Sequence, residues 1–186
     1  MFEIEQFIDD CKRGAAADES HKAVREVVAR AVAEPAKLLD ALGEPTQAGV
    51  HKLYHDADLT ILNLVWAPLM TVMPHDHRMW AVIGIYTGRE DNIFWRRDEN
   101  RVEAAGARAL GARDAVPLGR DIIHSVTNPT EKLTGALHVY GGDFFATPRS
   151  EWDPETLIEQ PYDADRTIGL FAAANARYEA GRQLMN

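Results

Sequence analysis

Cysteine is almost absent from this sequence, since Cys11 is the single thiol among 186 residues. One cysteine cannot form an intrachain disulfide, which is typical of proteins from a reducing compartment. It also excludes a zinc site built from several thiolates. Any metal site in the chain must therefore use imidazole or carboxylate ligands.

Clusters of basic residues are also missing. The chain has 20 lysines and arginines against 29 aspartates and glutamates, which gives a net charge of −9. Nucleic-acid-binding surfaces and polybasic membrane surfaces depend on concentrated positive charge. We therefore expect a small-molecule substrate as the partner, with no nucleic acid and no membrane.

The sequence has no long hydrophobic run. Its longest uncharged stretch, 59–74, is interrupted by Asn63 and Pro68, and it is shorter than the roughly 20 apolar residues that cross a bilayer. The first residues are acidic, where a secretory signal would carry positive charge. These features predict a cytoplasmic protein.

The hydrophobic pattern divides the chain into three parts of one domain. Residues 1–43 have helical spacing and end at Gly43, which suits the position after a helix. Residues 44–148 form short β-branched and aromatic runs separated by turns, as in an antiparallel barrel. Residues 149–186 are a tail with a short closing helix at 165–183. Strands are predicted near 50–55, 59–66, 79–87, 91–96, 101–104, 114–118, 122–128, 133–140 and 143–146.

The most informative local motif is His75-Asp76-His77, which we place at the start of the strand predicted near 79–87. Side chains alternate along a strand, so both imidazoles would point to one face and Asp76 to the other. This spacing suits two ligands on one metal. Two polar residues that merely flank a turn would give the same pattern, so the pair alone leaves both interpretations open.

A second block of the chain provides a third histidine. Gly111, Pro117, Gly119, His124 and Asn128 follow one another with fixed spacing. This block resembles the second cupin motif, Gly-x5-Pro-x-Gly-x2-His-x3-Asn, except that four residues rather than two separate Gly119 from His124. The two histidine blocks also occur in the order expected for cupins.

The first block resembles the first cupin motif, His-x-His-x3-Glu-x6-Gly, with Gly88 in register and Ala81 at the position of the glutamate. The resemblance implies a cupin double-stranded β-helix, a jelly-roll barrel whose interior can hold a metal. The implied ligands are His75, His77 and His124, without the usual carboxylate. We expect Fe(II), while neutral imidazoles also suit nickel, zinc or manganese.

A third motif is similar to that of one cupin group. Ala136-Leu-His138-Val-Tyr140 resembles the Ser-x-His-x-Tyr of the cysteine dioxygenase group of thiol dioxygenases, with the serine replaced. The resemblance covers about 54–145. It implies a mononuclear non-haem iron(II) enzyme that adds both atoms of dioxygen to the sulfur of a small thiol and yields a sulfinate. His138 and Tyr140 would then be catalytic proton donors beside the metal.

Two departures from that group leave the substrate open. The arginine that binds the substrate carboxylate in that group has no counterpart here, because no arginine occurs between Arg30 and Arg78, and Lys52 is the nearby cation. The cysteine–tyrosine crosslink of some members is impossible, because Cys11 lies in the helical region. We interpret Glu90 as part of a polar, solvated turn and predict that it is not a ligand, with a fourth-ligand role as the alternative.

Other functions fit the same motifs. One alternative is a non-catalytic cupin that binds a metal or a small molecule as a sensor or store, and another is a cupin isomerase or lyase that uses another divalent metal. Oxygen consumption on addition of a thiol separates these alternatives from a dioxygenase. The sequence leaves the oligomeric state open.

Overall fold

The computed structural model describes residues 1–17 and 21–185. The helices in this part of the chain are α1 (Ile4–Ala17), α2 (Lys22–Val32), α3 (Pro35–Leu42) and α4 (Ala164–Met185). The strands are β1 (Gly49–His55), β2 (Thr60–Trp66), β3 (Thr71–Asp76), β4 (Ala81–Thr87), β5 (Arg89–Asp98), β6 (Arg101–Gly111), β7 (Ala115–Leu118), β8 (Ile123–Thr127), β9 (Thr134–Tyr140), β10 (Ser150–Trp152) and β11 (Glu159–Pro161).

The predicted N-terminal helices are confirmed and cover one face of the barrel. The apolar sides of α1 and α2 are buried, and they share a hydrophobic cluster with Val82, Leu137 and Val139 of the neighbouring sheet. Helix α2 approaches β4 closely at Gly84, where a Cβ would lie 2.4 Å from Val28 Cγ1. Helix α3 ends at Gly43, which has a φ of 85° and donates its N–H to the Leu39 carbonyl.

The strands form two antiparallel sheets. One sheet has the order β1-β2-β9-β4-β7, and the other has the order β11-β10-β3-β8-β5-β6. From β3 to β9 the chain passes repeatedly from one sheet to the other, so that strands distant in sequence pair within each sheet. This winding is that of a jelly roll, or double-stranded β-helix. The predicted mainly β fold with helices at both ends is confirmed.

Side chains alternate between the two faces of each strand and so divide the core in two. On β9, Leu137 and Val139 face the helices, whereas Ala136 and Tyr140 belong to the cluster between the sheets. His138 lies in register with these two residues and is also buried. The even-numbered residues of β9, namely Ala136, His138 and Tyr140, therefore face the interior of the barrel.

The structure differs from the predicted elements in four places. The uncharged run 59–74 holds the whole of β2 and the first part of β3, separated by a turn at Leu69 with a φ of 56°, whereas a strand was placed only near 59–66. The strand predicted at 143–146 is a turn, because the Asp143 carboxylate accepts N–H bonds from Phe145 and Ala146. Strand β6, predicted at 101–104, extends to Gly111 because it pairs with β5 along its length, and strands β10 and β11 lie in the predicted tail. The closing helix predicted at 165–183 is confirmed as α4.

None of the helices among the described residues is both long enough and apolar enough to cross a membrane.

Candidate metal centre

The three predicted histidines come together inside the barrel. His75 lies near the end of β3 and is the Cα partner of His124 on the adjacent β8, while His77 directly follows β3. The prediction that the pair starts the strand near 79–87 is wrong, because His75 lies near the end of β3 and His77 directly follows it. The prediction that the two imidazoles share a face and Asp76 points away is confirmed, because the Asp76 carboxylate binds Arg78 at 2.7 Å.

The ligand nitrogens of His75, His77 and His124 all lie within 4.8 Å of one another. The Nε2 atoms of His77 and His124 are 3.3 Å apart. His77 and His124 are buried, and His75 is partly buried. Three imidazoles on one concave face could hold a divalent ion and leave further coordination positions open.

Hydrogen bonds at the Nδ1 atoms orient two of these rings. His75 Nδ1 lies 2.9 Å from the Met73 carbonyl, which can only accept, so Nδ1 carries the proton. His124 Nδ1 lies 2.7 Å from Asn92 Oδ1 and donates to it. In a neutral imidazole the Nε2 lone pair is then free. Both rings thus present an unprotonated nitrogen, as a metal ligand must.

Burial keeps the three imidazoles neutral. It lowers the pKa of His75 to about 4 and the pKa values of His77 and His124 well below their usual range. The neighbouring histidines add to the lowering for His77 and His124, because one imidazolium would repel another. The site therefore favours the protonation state that binds metal.

Glu90 is not the solvated residue that we predicted. It lies on β5 with no exposed surface, and its carboxylate accepts hydrogen bonds from Trp66 Nε1 at 2.8 Å and Asn92 Nδ2 at 3.0 Å. Alternate residues of β5, including Glu90 and Asn92, face the interior, and this period of two was the signal in the sequence. Glu90 is outside the set of converging ligand atoms.

The Glu90 carboxylate also fixes the orientation of Asn92. A carboxylate accepts only, so the Asn92 amide must turn its NH₂ toward Glu90 and its oxygen toward His124. Burial raises the pKa of the Glu90 carboxyl. The neighbouring His138 and the hydrogen bonds from Asn92 and Trp66 lower it by more, so that the pKa lies below its usual value. The buried Glu90 carboxylate, in its ionised form, therefore holds Asn92 in the orientation that accepts the hydrogen bond from His124 Nδ1.

His138 and Tyr140 lie together on the wall of the same pocket. His138 Nδ1 is 2.9 Å from the Tyr140 hydroxyl, and both side chains are 2% exposed. His138 Nε2 lies 3.5 Å from Glu90 Oε2 and has no closer partner among the described residues. The Tyr140 ring is 4.9 Å from the His77 ring, and burial raises the pKa of its phenol. A buried carboxylate, that of Glu90, thus stands beside His138.

The pocket that these residues line has a volume of about 60 Å³. Its polar side chains are those of the four histidines, Tyr140, Tyr162 and Thr167. The remaining wall is mainly apolar and consists of Val50, Leu64, Trp66, Val72, Val126, Phe144 and Phe171. The helix α4 and the segment before it therefore complete a pocket whose histidines come from the barrel strands.

No protein-family model matches the chain. An RmlC-like cupin family protein with a double-stranded beta-helix fold from Methanocaldococcus jannaschii is similar at 11% identity and a TM-score of 0.46, over 55% of this chain and 86% of that one. A conserved protein with a double-stranded beta-helix domain from Klebsiella pneumoniae is similar at 12% identity and a TM-score of 0.45, over 56% of this chain and 82% of that one. Oxalate decarboxylase from Bacillus subtilis is similar at 19% identity and a TM-score of 0.40, over 48% of this chain and 22% of that one.

The strand order of the chain itself, with its two sheets wound as a jelly roll, identifies its fold as a double-stranded β-helix.

Proposed function

We propose that the protein is a mononuclear non-haem iron(II) enzyme of the cytoplasm that oxidises a small thiol to a sulfinate with dioxygen. The observation that carries the proposal is the hydrogen bond between the Tyr140 hydroxyl and His138 in the pocket of the three histidines. A buried phenol and imidazole in this arrangement can hold and transfer a proton. A site that only stores a metal has no need of such a pair.

His75, His77 and His124 would hold the ion, and iron(II) would supply open coordination positions and the electron transfer that allows dioxygen to react with a thiol. The overall reaction is RSH + O₂ → RSO₂⁻ + H⁺. Both oxygen atoms enter the product, so the reaction needs no external reductant. One proton must leave the thiol, and the protein has to accept it.

Tyr140 and His138 provide a path for that proton. The Glu90 carboxylate can only accept hydrogen bonds, so a neutral His138 keeps its own proton on Nε2, on the side of Glu90. Its Nδ1 then accepts a hydrogen bond from the Tyr140 hydroxyl. When the Tyr140 oxygen accepts a proton from the thiol, the phenol proton can pass to His138. The resulting imidazolium lies beside the Glu90 carboxylate, which stabilises its charge.

The walls of the pocket suit a thiol rather than a highly polar ligand. Apolar side chains such as Leu64, Val72 and Val126 surround the histidines, and the inner volume admits only a few heavy atoms. The low polarity around the buried Glu90 carboxylate strengthens its electrostatic effect on the imidazolium. A sulfur group would therefore enter a mainly apolar cavity with one proton acceptor aligned beside it.

An oxygen electrode tests the proposal. The protein is loaded anaerobically with iron(II), and a panel of small thiols is added in air-saturated buffer, with zinc-loaded protein as the redox-inert control. We expect oxygen uptake with at least one thiol, in a 1:1 ratio to sulfinate measured by mass spectrometry. Absence of uptake from a fully iron-loaded protein across acidic, neutral and amino thiols would contradict a dioxygenase and favour a non-catalytic cupin.

A further inference from the structure

One of the three converging histidines, His77, lies outside the strands that hold the other two. His75 and His124 are Cα partners on the paired strands β3 and β8. His77 lies instead on the connection between β3 and β4, which spans residues 77–80. Hydrogen bonds at Nδ1 orient the rings of His75 and His124, and within the part of the chain that the structure describes none orients the ring of His77. The position of His77 therefore depends on the conformation of this connection.

The connection turns sharply at the residue that follows His77. Arg78 has a φ of 57°, in the left-handed region that is unfavourable for any residue with a Cβ. Such a conformation persists only where the surrounding contacts hold it. The contacts to Arg78 come chiefly from Asp76, the residue between the two histidines of the first block.

Asp76 forms an ion pair with Arg78 from a buried position. Its side chain is 3% exposed, and its Oδ2 atom lies 2.7 Å from Arg78 Nε. Its other oxygen, Oδ1, accepts the backbone N–H of Ser150 on β10 at 2.8 Å. Strand β10 pairs with β3 at the level of His75, through Glu151. Asp76 thus ties the turn at Arg78 to the strand that borders β3.

A wider set of charges surrounds this ion pair. The Arg78 guanidinium also lies 3.9 Å from the carboxylate of Glu159 on β11. Glu159 accepts a hydrogen bond from the Ser150 hydroxyl at 2.6 Å and pairs with Arg97. Arg97 in turn lies 3.9 Å from Asp76 Oδ2. Two arginines therefore compensate two carboxylates, which a buried charge such as that of Asp76 requires.

We propose that Asp76 is a positioning residue of the metal centre, whose ion pair with Arg78 holds the turn that directs His77 toward His75 and His124. The inference rests on the proposed function only in taking the three histidines as the metal site, and it does not depend on the reaction. Asp76 faces away from that site and acts through the backbone of its neighbours. Partners that orient a ligand from outside typically change metal affinity by about 10–100-fold.

Zinc affinity, measured by competition with a chromophoric chelator, tests this role without any turnover. Asp76→Asn keeps the shape of the side chain, but its NH₂ must face one of the two donors from Ser150 and Arg78. We expect it to lower the zinc affinity at least about 10-fold. Asp91→Asn is the matched control, because Asp91 pairs with Arg89 Nε at the same distance of 2.7 Å and the same two-residue spacing, outside the metal pocket. It should keep the wild-type affinity.

Variants of Arg78, whose side chain is 41% exposed, separate the ion pair from the stability of the fold. Arg78→Ala removes the pair and leaves a Cβ in the left-handed region, so the zinc affinity should fall about 10-fold. Arg78→Lys retains a cation beside Asp76 and should restore most of the affinity. The d–d absorption spectrum of the cobalt-loaded protein should change in Asp76→Asn and in Arg78→Ala, because it reports the geometry of the ligands rather than the stability of the fold.

Three results would overturn the inference. The first is wild-type zinc affinity in Asp76→Asn. The second is an equal loss of affinity in Arg78→Ala and Arg78→Lys, because the charge of Arg78 would then be irrelevant to the turn. The third is a lower affinity in Asp76→Asn with an unchanged cobalt spectrum, since the effect would then come from stability alone.

This inference and the proposed function fail in different ways. Thiol oxidation by a protein whose zinc affinity does not respond to Asp76→Asn would contradict the positioning role alone. Zinc affinity that depends on Asp76 and Arg78, without any thiol oxidation, would contradict the dioxygenase and leave the positioning role intact.

Discussion

The side-chain oxygen of Asn92 lies 2.7 Å from Nδ1 of His124, and this contact leaves Nε2 of His124 as the free nitrogen that faces His75 and His77. Asn92 is itself oriented by the Glu90 carboxylate. The orientation of His124 is therefore set by two residues outside the group of three converging histidines.

The first prediction concerns this support. Asn92→Ala should lower zinc affinity about 10–100-fold, because partners of this kind orient the ligating ring and raise its basicity. Competition with a chromophoric chelator measures the affinity. Asn63→Ala is the matched control, since Asn63 is also buried and hydrogen-bonded but pairs with Tyr86. Equal affinity in the Asn92 variant and the wild type would show that the contact is dispensable.

The second prediction concerns the ligands. Substitution of His75, His77 or His124 by alanine should each remove most of the bound metal, because two imidazoles cannot complete the coordination face. Elemental analysis of protein purified without chelator gives the occupancy. His51→Ala, at an exposed histidine of β1, should retain it. Full occupancy in His124→Ala would contradict the assignment.

The third prediction concerns Glu90. Glu90→Gln should keep its metal, because the carboxylate is outside the converging ligand atoms. It should lower the free energy of unfolding by about 1–3 kcal/mol, since the new NH₂ must face a donor from Trp66, Asn92 or His138. Urea unfolding measures this change. Glu103→Gln on the surface should cost less than about 1 kcal/mol. Loss of metal from Glu90→Gln would make Glu90 a ligand after all.

The fourth prediction concerns Tyr140. Tyr140→Phe keeps the ring and its packing but removes the hydroxyl that binds His138. Metal content should stay the same, and the rate of thiol oxidation should fall about 10²–10⁴-fold through loss of the positioned proton carrier. Tyr86→Phe removes an equally buried hydroxyl outside the pocket and should keep the rate. Turnover of Tyr140→Phe at the wild-type rate would show that the phenol only packs.

The fifth prediction concerns acid. The folded state holds His75 neutral down to a pKa of about 4, whereas the unfolded chain titrates near 6.5. Between these values the unfolded state binds more protons, so the free energy of unfolding of the metal-free protein should fall as the pH falls from 6.5 to about 4. Above pH 6.5 the contribution is complete.

Urea titrations of the metal-free protein across this range measure the slope. His75→Gln removes one titrating group and should reduce the slope by at most about 1.4 kcal/mol per pH unit. An unchanged slope in His75→Gln would show that His75 is not held neutral by the fold.

Much of the fold and part of the site could be predicted from the sequence. Helical and alternating hydrophobic periods depend on local burial, so they revealed α1 to α3 and most strands. The spacing of His75 and His77 fixed a common face for both imidazoles, and the same alternation placed His138 with Tyr140. These are properties of neighbouring residues on a single strand, and they do not depend on how the strands pair.

Other parts of the site depended on contacts between distant segments. Glu90 reads as part of a polar turn until β5 is paired with β6 and β8, which buries its inward face. Arg149 follows the end of the predicted barrel, and only its packing against Phe144 and Tyr162 places its charge beside two residues that line the pocket. The sequence by itself determined which residues could bind a metal, because ligand type and spacing are local. The tertiary structure alone decided which charges surround them, because the burial of Glu90 and the packing of Arg149 arise from contacts between distant segments.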